Sequence, residues 1–585
     1  MATVTVERLP RMDTGPARWI GGFRDAGYLS GCAALPRDYG TAAWESRPEV
    51  RAVRDAVFSA LDRLDAEAGI SERFKGRPVL VKPNLVTVYQ DMGLTRRVYP
   101  ETTDPRVLDA VVLWLSGMAS SISIVESSGR GAATRGSYRV SGVDRLARAR
   151  GCDLVALEET PVDRYFLPGA AVQREVYLPR PFSEVIRGGA AYVSVPKLKT
   201  NLYTVVTLGF KNAMGVLPYN LRQRAHHYAL ERKLVETLRI LRPDLVLIDG
   251  VVGGEGECPA PVDPVDSRMV IAGDHPVETD RVAARLMGFD PRDIPLLREA
   301  DGLGFGSPEP ARVLARGFGA GVGDPDLGGA CHVYFRPADW NPASSRVRER
   351  LPGFLVLLGI DRAGGAAGPD PAESLAAACR GGCVATTRFA LAMMEAEGVR
   401  PRFPVAVILG PGVESGGRRL WYDGEGRAWD EKSIRDFPGR RAVIGSCSRG
   451  MEPSADRFVD GCMVLPNGPH MVLHDLAGAP CRVVSFRNRN LLTMLAALMG
   501  ARLVRRRLLK AGERLDAPLQ LDDRPDDGPI LSTKESTRDW IPWPAPAPGR
   551  AEIRRLLRLE DEMVAASLRG TLSLHARKLA REDSR

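Results

Sequence analysis

The sequence predicts an α/β protein: a mostly parallel, Rossmann-like sheet in an N-terminal domain, followed by a second, smaller α/β domain. Three observations carry this. The chain has 585 residues, about twice the roughly 250–300 that one hydrophobic core sustains. Short apolar runs alternate with helical stretches, the pattern of a parallel sheet covered on both faces. Polar residues gather where those runs end, which is where open α/β sheets bind ligands.

Taken in order, residues 1–50 read as an irregular arm and 51–69 as an amphipathic helix. Pro78-Val79-Leu80-Val81 is a short buried strand closing on Lys82-Pro83-Asn84. A helix is expected over 105–118, with Asp104 as N-cap and Pro105 at its first position. Ser121 to Glu126 is the next strand and runs into a Gly-rich turn at 129–131. Strands follow at 153–157, 190–196, 244–249 and 268–273, with helices at 230–241 and 276–287. Residues 289–345 are rich in Pro, Gly and Asp and read as the closing edge of the first domain plus a connection. A second pattern has strands at 354–358, 404–409, 442–446 and 482–486 and helices at 384–398 and 491–501. An acidic loop, a Pro-rich spacer and a terminal helix end the chain. The predicted organisation is an N-terminal arm and helix (1–60), an α/β domain (61–310), a second α/β domain (345–505) and a C-terminal arm (506–585).

Hydrophobic residues make up 44% and charged residues 26% of the chain, ordinary values for a globular protein. No apolar run reaches the ~18 residues needed to cross a bilayer. The N-terminal stretch lacks the apolar segment and cleavage site of a secretion signal, so a cytoplasmic protein without a membrane anchor is expected. The net charge is +9, but the basic residues are spread out and nowhere alternate with aromatics, which argues against nucleic acid. Nine cysteines are too sparse for a disulfide scaffold.

Of 81 basic residues only 10 are lysine. Arginine is the default cation of this chain, so a lysine asks for a reason. Lys197, Lys199 and Lys211 fall within fifteen residues, and Lys82 closes another strand. Around them, Asn84, Ser127, Ser128, Thr200, Asn201 and Asn212 offer neutral donors at strand ends. Asp249, Glu255 and His226 offer groups that move protons or hold a divalent cation such as Mg or Zn. Clustered ammonium groups with hydroxyl and amide donors suit a carboxylate or phosphate, and a lysine crowded by cations becomes a base or nucleophile. The blander reading is that these residues cap strands and fill turns.

The segments Val81-Lys82-Pro83-Asn84-Leu85, Val195-Pro196-Lys197-Leu198-Lys199-Thr200, Gly209-Phe210-Lys211-Asn212-Ala213-Met214-Gly215 and Ile248-Asp249-Gly250, in that order, resemble the signature of the family catalogued as domain of unknown function 362. The resemblance covers roughly residues 75–310. Where the family pattern has a histidine after Lys-Leu-Lys-Thr, this chain has Asn201. Relatives are often joined to iron–sulfur modules, which implies redox chemistry.

The C-terminal cysteines fit that implication in part. Cys379 and Cys383 are spaced C-x3-C; Cys447 and Cys462 each lie near glycine. Four thiolates from two separated pairs suit a [4Fe–4S] cluster. The family's C-terminal extensions carry a similar Cys pair followed by Gly-x-Cys and Gly-Cys-Pro-Pro; here Gly461-Cys462 is followed by Met463-Val464. His470 and His474, four apart, share a face if helical, and with Cys447 and Cys462 they make an alternative Cys2His2 zinc site. Two buried structural cysteines would show the same spacing.

The chain contains no nucleotide-binding G-x-G-x-x-G, no Walker motif and no G-x-S-x-G elbow. The expected function is a small-molecule metabolic enzyme that binds an anionic substrate through its lysines, with an iron–sulfur cluster and an electron-transfer partner. The alternatives are a non-redox lyase or transferase using lysine and a divalent metal, or a non-catalytic cluster carrier or scaffold.

Overall fold

The structure is a computed structural model that describes residues 1–10, 38–86, 100–129, 133–223, 229–259, 261–319, 323–340, 346–359, 383–459, 467–479, 491–518, 541–543, 545–554 and 556–557. The chain divides into two compact units. Unit one comprises Met1–Arg222, Glu231–Ala338 and Arg489–Met563; unit two comprises Gln223–Leu230, Asp339–Asn488 and Val564–Arg585.

Unit one contains β1 (Thr3–Arg8), β2 (Pro78–Lys82), β3 (Ser121–Glu126), β4 (Asp153–Ala156), β5 (Val162–Phe166), β6 (Glu175–Pro179), β7 (Ala191–Ser194), β8 (Lys197–Asn201), β9 (Val205–Thr207), β10 (Leu245–Glu255), β11 (Asp263–Val265), β12 (Met269–Gly273) and β13 (Arg312–Arg316). Its main sheet runs β13-β1-β12-β10-β7-β2-β3-β4. From β10 to β4 every pairing is parallel. β12 lies antiparallel between β10 and β1. A separate small sheet joins β5 and β6 to Ile541–Trp543.

Period-2 alternation explains the layering. Val79 and Val81 of β2 and Val193 of β7 face one core, whereas Leu80 and Tyr192 face the other. The first core is closed by α1 (Pro48–Ala68) and α2 (Pro105–Ser116), through Val57, Leu61, Val107 and Val111. Proline at the first turn starts α1, and Gly69, at φ +60°, ends it in the left-handed conformation that glycine tolerates best. Asp104 caps α2 by accepting from the Arg106 N–H. Two further helices of this unit are α3 (Thr134–Ser141) and α4 (Pro276–Leu286).

Two expectations are corrected. Residues 1–50 are not all an irregular arm: β1 is an interior strand, antiparallel to β12 and parallel to β13, with Val4 and Val6 wholly buried. Its six residues hold no sign of neighbours that arrive hundreds of residues later. Helix Leu491–Lys510 does not close the second domain: it lies in unit one, where Ala497 and Ala501 pack with Ala133 beside α3. The strand expected at 482–486 lies outside the described residues.

Unit two has a seven-stranded sheet built from β14 (Phe354–Leu358), β15 (Val405–Leu409), β16 (Val413–Ser415), β17 (Arg418–Tyr422), β18 (Ala428–Asp430), β19 (Arg440–Ile444) and β20 (Arg457–Val459). The order is β16-β17-β14-β15-β19-β20, with β18 on β17. β14, β15, β19 and β20 are parallel. Helices α5 (Cys383–Ala396) and α6 (Asn467–Ala477) supply Leu391, Met394, Leu473 and Leu476 to the core on one face.

Because β1 is interior, Val6→Ala is expected to cost unit one about 2 kcal/mol, read as a lower urea midpoint at unchanged slope. A surface arm would show a change within about 0.5 kcal/mol.

Candidate functional site

The parallel strands of unit one deliver their polar ends to one edge. In the β2–β7 pairing, Lys82 lies opposite Ser194. Lys197 opens β8, which turns onto β10 so that Lys197 pairs with Asp249 and Lys199 with Gly254. Phe210–Gly215 is a 3-10 helix that brings Lys211 and Asn212 to the same edge.

The side chains form two buried hydrogen-bonded groups, one around Lys82 and Lys199 and one around Lys197. Lys82 Nζ sits 2.9 Å from Glu126 Oε1 and donates to Asn212 Oδ1 at 3.0 Å. Asn84 Nδ2 donates to the same Asn212 oxygen at 3.2 Å, and Asn84 Oδ1 accepts from Lys199 Nζ at 3.0 Å. Lys199 also donates to the Glu101 carbonyl at 2.8 Å. Asn212 Nδ2 donates to the Lys82 carbonyl and to Ser194 Oγ, each at 3.1 Å. Lys197 Nζ donates to Asp249 Oδ2 at 2.7 Å, an oxygen that also accepts from the Asp104 N–H. Asp249 Oδ1 accepts from the Val251 N–H.

Glycines make this crowding fit. A Cβ on Gly215 would lie 2.6 Å from both Lys82 Nζ and Glu126 Oε1; one on Gly209 would lie 2.6 Å from Asp280 Oδ1. The last glycine of Gly-Phe-Lys-Asn-Ala-Met-Gly is therefore required by the ion pair beside it.

Of these four lysines, Lys199 and Lys211 have no bonded carboxylate among the described residues. Lys82 and Lys197 each have one, whereas the acceptors of Lys199 are an amide oxygen and a backbone carbonyl. Lys211 is buried and makes no hydrogen bond or ion pair among the described residues. Burial brings the Lys211 ammonium down to about 7, helped by the charge of Lys199. Burial lowers Lys199 to about 8. It also lowers Lys82, with Glu126 opposing the shift. Glu231 lies within electrostatic reach of Lys211, its own carboxyl pushed up by burial. Asp280 accepts from the Gly209 and Phe210 N–H groups, yet burial raises it to about 8.

The other predicted residues divide clearly. Ser127 donates its N–H to Glu126 Oε1. Ser128 is tied to the Leu85 carbonyl and Ser137 Oγ. Thr200 donates to the Gly256 carbonyl. Asn201 accepts from the Tyr203 and Thr204 N–H groups, closing the β8–β9 turn. Glu255 binds Arg336, accepting from its N–H at 2.8 Å, rather than joining the lysines. His226 lies outside the described residues. Cys258 is buried, with burial pushing its thiol up to about 12, which keeps it protonated.

Sequence reasoning passed over Glu101, Thr103, Glu231 and Asp280, and read Asp104 only as a helix cap. The run Glu101-Thr102-Thr103-Asp104 carried a usable signal, because it fills the connection after β2 with polar residues just before a helix. Glu231 and Asp280 sit on amphipathic helices and look like ordinary helical acids.

In unit two, Cys383 begins α5 with its Sγ against Gly445, where an added Cβ would come within 3.2 Å. Gly445 has φ +104°, and Cys447, two residues on, is exposed. Cys379 and Cys462 lie outside the described residues. His470 and His474 lie on α6 with their Nε2 atoms 3.1 Å apart, and the group they face is Glu397.

Residues 79–285 match the model of a family described as a domain of unknown function (DUF362). The chain is 29% identical over 119 residues to a thylakoid-associated protein of Synechocystis sp., an alignment covering 19% of this chain and 37% of that protein. The chain thus spans little more than a third of that relative's length. No solved structure matches the chain. Among the described residues no helix is long and apolar enough to cross a membrane; the relative's thylakoid association lends no support to a cytoplasmic location. The lysine, asparagine and carboxylate network falls inside residues 79–285, the segment that matches the DUF362 family model.

Proposed function

We propose that residues 79–285 form an enzyme site for a small carboxylate- or phosphate-bearing substrate, held by Lys199 and Lys211, with the Lys211 amine moving a proton. One observation carries this reading: at the edge where strand ends converge, the buried Lys199 and Lys211 have no bonded carboxylate among the described residues, whereas Lys82 and Lys197 do. Buried cations without counter-ions are costly, and an anionic ligand relieves that cost. Lys82, Lys197, Asn84 and Asn212 act as positioning residues. Asp249 already accepts three hydrogen bonds, so its part is to hold Lys197 and the start of α2. Lys211, titrating near neutrality with Glu231 close by, supplies the acid and base.

A redox reading is favoured by a separate feature, the placement of Cys383 against the glycine two residues before Cys447. Glycine permits close backbone approach to a cluster. Cys383 and Cys447, with Cys379 and Cys462, would hold a [4Fe–4S] cluster, which supplies one-electron transfer. Residues 79–285 would then bind the molecule that is oxidised or reduced.

Labelling the ten lysines with carbon-13 at Cε should give one resonance with a midpoint near 7 that is missing from Lys211→Met. If every midpoint lies above about 10, the ordinary lysine range, Lys211 is not the proton-moving group. Calorimetric titration with inorganic phosphate and with short 2-oxo acids should show binding that Lys211→Met abolishes and Lys75→Met, a surface change, leaves intact. The sign of the pH effect follows from the lowered values. Raising pH removes the proton of Lys211 near 7 and of Lys199 near 8, so affinity should fall through that window, by up to about tenfold per pH unit for each proton required. For the redox reading, anaerobically purified protein should contain about four iron and four sulfide per chain, lost in Cys383→Ser; iron-free protein would remove it.

A further inference from the structure

Unit two contains a second chemical constellation that the lysine site does not use. His470 and His474 are one turn apart on α6 and so project from one face. Their rings meet nearly edge to face, with centroids 4.6 Å apart. Glu397 follows the last residue of α5. Its Oε1 is 3.4 Å from His470 Nε2, and its Oε2 is 3.0 Å from His474 Nε2. The two Nε2 atoms are 3.1 Å apart. All three side chains are at most 3% exposed.

We propose that Glu397, His470 and His474 form a binding site for one divalent transition-metal ion, zinc being the best match, which clips the end of α5 to α6. The separations are those of ligands around a common centre. Atoms held 2.0–2.1 Å from a metal at angles between a right angle and the tetrahedral angle lie about 2.9–3.4 Å apart. Two imidazole nitrogens with one carboxylate oxygen are a donor set that borderline cations of the first transition row prefer.

A plain hydrogen-bonded cluster accounts for less. Two facing Nε2 atoms satisfy each other if one donates, but neither Glu397 oxygen then accepts a hydrogen bond of acceptable geometry. A buried carboxylate in that state is costly, and a cation between the three groups removes the cost. The residue after His470 is Met471, where a hydrolytic H-E-x-x-H helix carries its general-base glutamate. With no such base and with burial on all sides, the ion serves to fix unit two rather than to activate water. The site differs from the Cys2His2 arrangement that the sequence alone suggests, since Glu397 takes the place given there to Cys447 and Cys462.

The test is zinc titration of the full chain after metal removal, with X-ray absorption at the zinc edge. About one zinc ion per chain is expected in a shell of nitrogen and oxygen, with a rise in the melting temperature of unit two. Glu397→Gln, nearly isosteric, should lose that equivalent while keeping the wild-type circular dichroism spectrum; His474→Gln should do the same. Iron(II) in place of zinc at the same N/O shell would leave the site standing and change the metal. A shell containing sulfur, or undiminished zinc binding in a folded Glu397→Gln, would overturn it. If both variants fail to fold, the wild-type shell decides alone: nitrogen and oxygen supports the site, and sulfur or no bound metal rejects it.

Discussion

Burying several ammonium groups at one edge of a sheet is costly, and each acceptor they meet lowers that cost. That constraint organises residues 79–285, where Lys82, Lys197 and Lys199 meet acceptors and Lys211 meets none among the described residues. Lys82 needs Glu126 from the neighbouring strand and Asn212 from the 3-10 helix. Lys197 needs Asp249, and Asp249 in turn anchors the backbone just before α2 through the Asp104 N–H. The network is thus also the fastening between β2, β3, β8, β10 and the helix that covers them. Gly215 has no side chain because the Lys82–Glu126 pair occupies the space.

Neutralising two lysines changes what the other two can do. With Lys82 and Lys197 each beside a carboxylate, the uncompensated positive charge of the network rests on Lys199 and Lys211. Desolvation acts on both, and the charge of one opposes that of the other. An arginine-rich chain has reason to place lysine here: a guanidinium stays protonated at any ordinary pH, whereas an ammonium group can be brought to neutrality by burial. The scarcity of lysine elsewhere and its gathering at this edge fit the same chemistry.

Unit two solves a different problem with similar means. Its sheet is smaller and parallel only from β14 to β20. Where the end of α5 meets α6 it encloses the side chains of Glu397, His470 and His474. The arrangement joins two helices that pack on the same core by directional contacts, which apolar packing cannot supply.

Much of this was legible beforehand because its causes are local. Short apolar strands with period-2 burial, Asp104 before Pro105, and lysines directly after apolar runs report on neighbours within a few residues. Hence the parallel α/β class, most elements of the first sheet and the lysine-bearing edge were all readable from the chain. What stayed hidden depends on partners far away in sequence. β1 has the length of many strands, but its neighbours lie some 260 to 310 residues on. Glu397 is an unremarked acid after a helix until α6 returns beside it. Ser127, Ser128, Thr200 and Asn201 could not be told from ligand-binding groups until their hydrogen bonds were seen to close on the backbone and on one another. The sequence by itself determined the fold class and which residue types reach the strand ends, because both follow from local pattern. Tertiary structure alone decided which lysines are neutralised and which acid faces the two histidines, because desolvation and pairing are set by groups that only folding brings within a few ångströms.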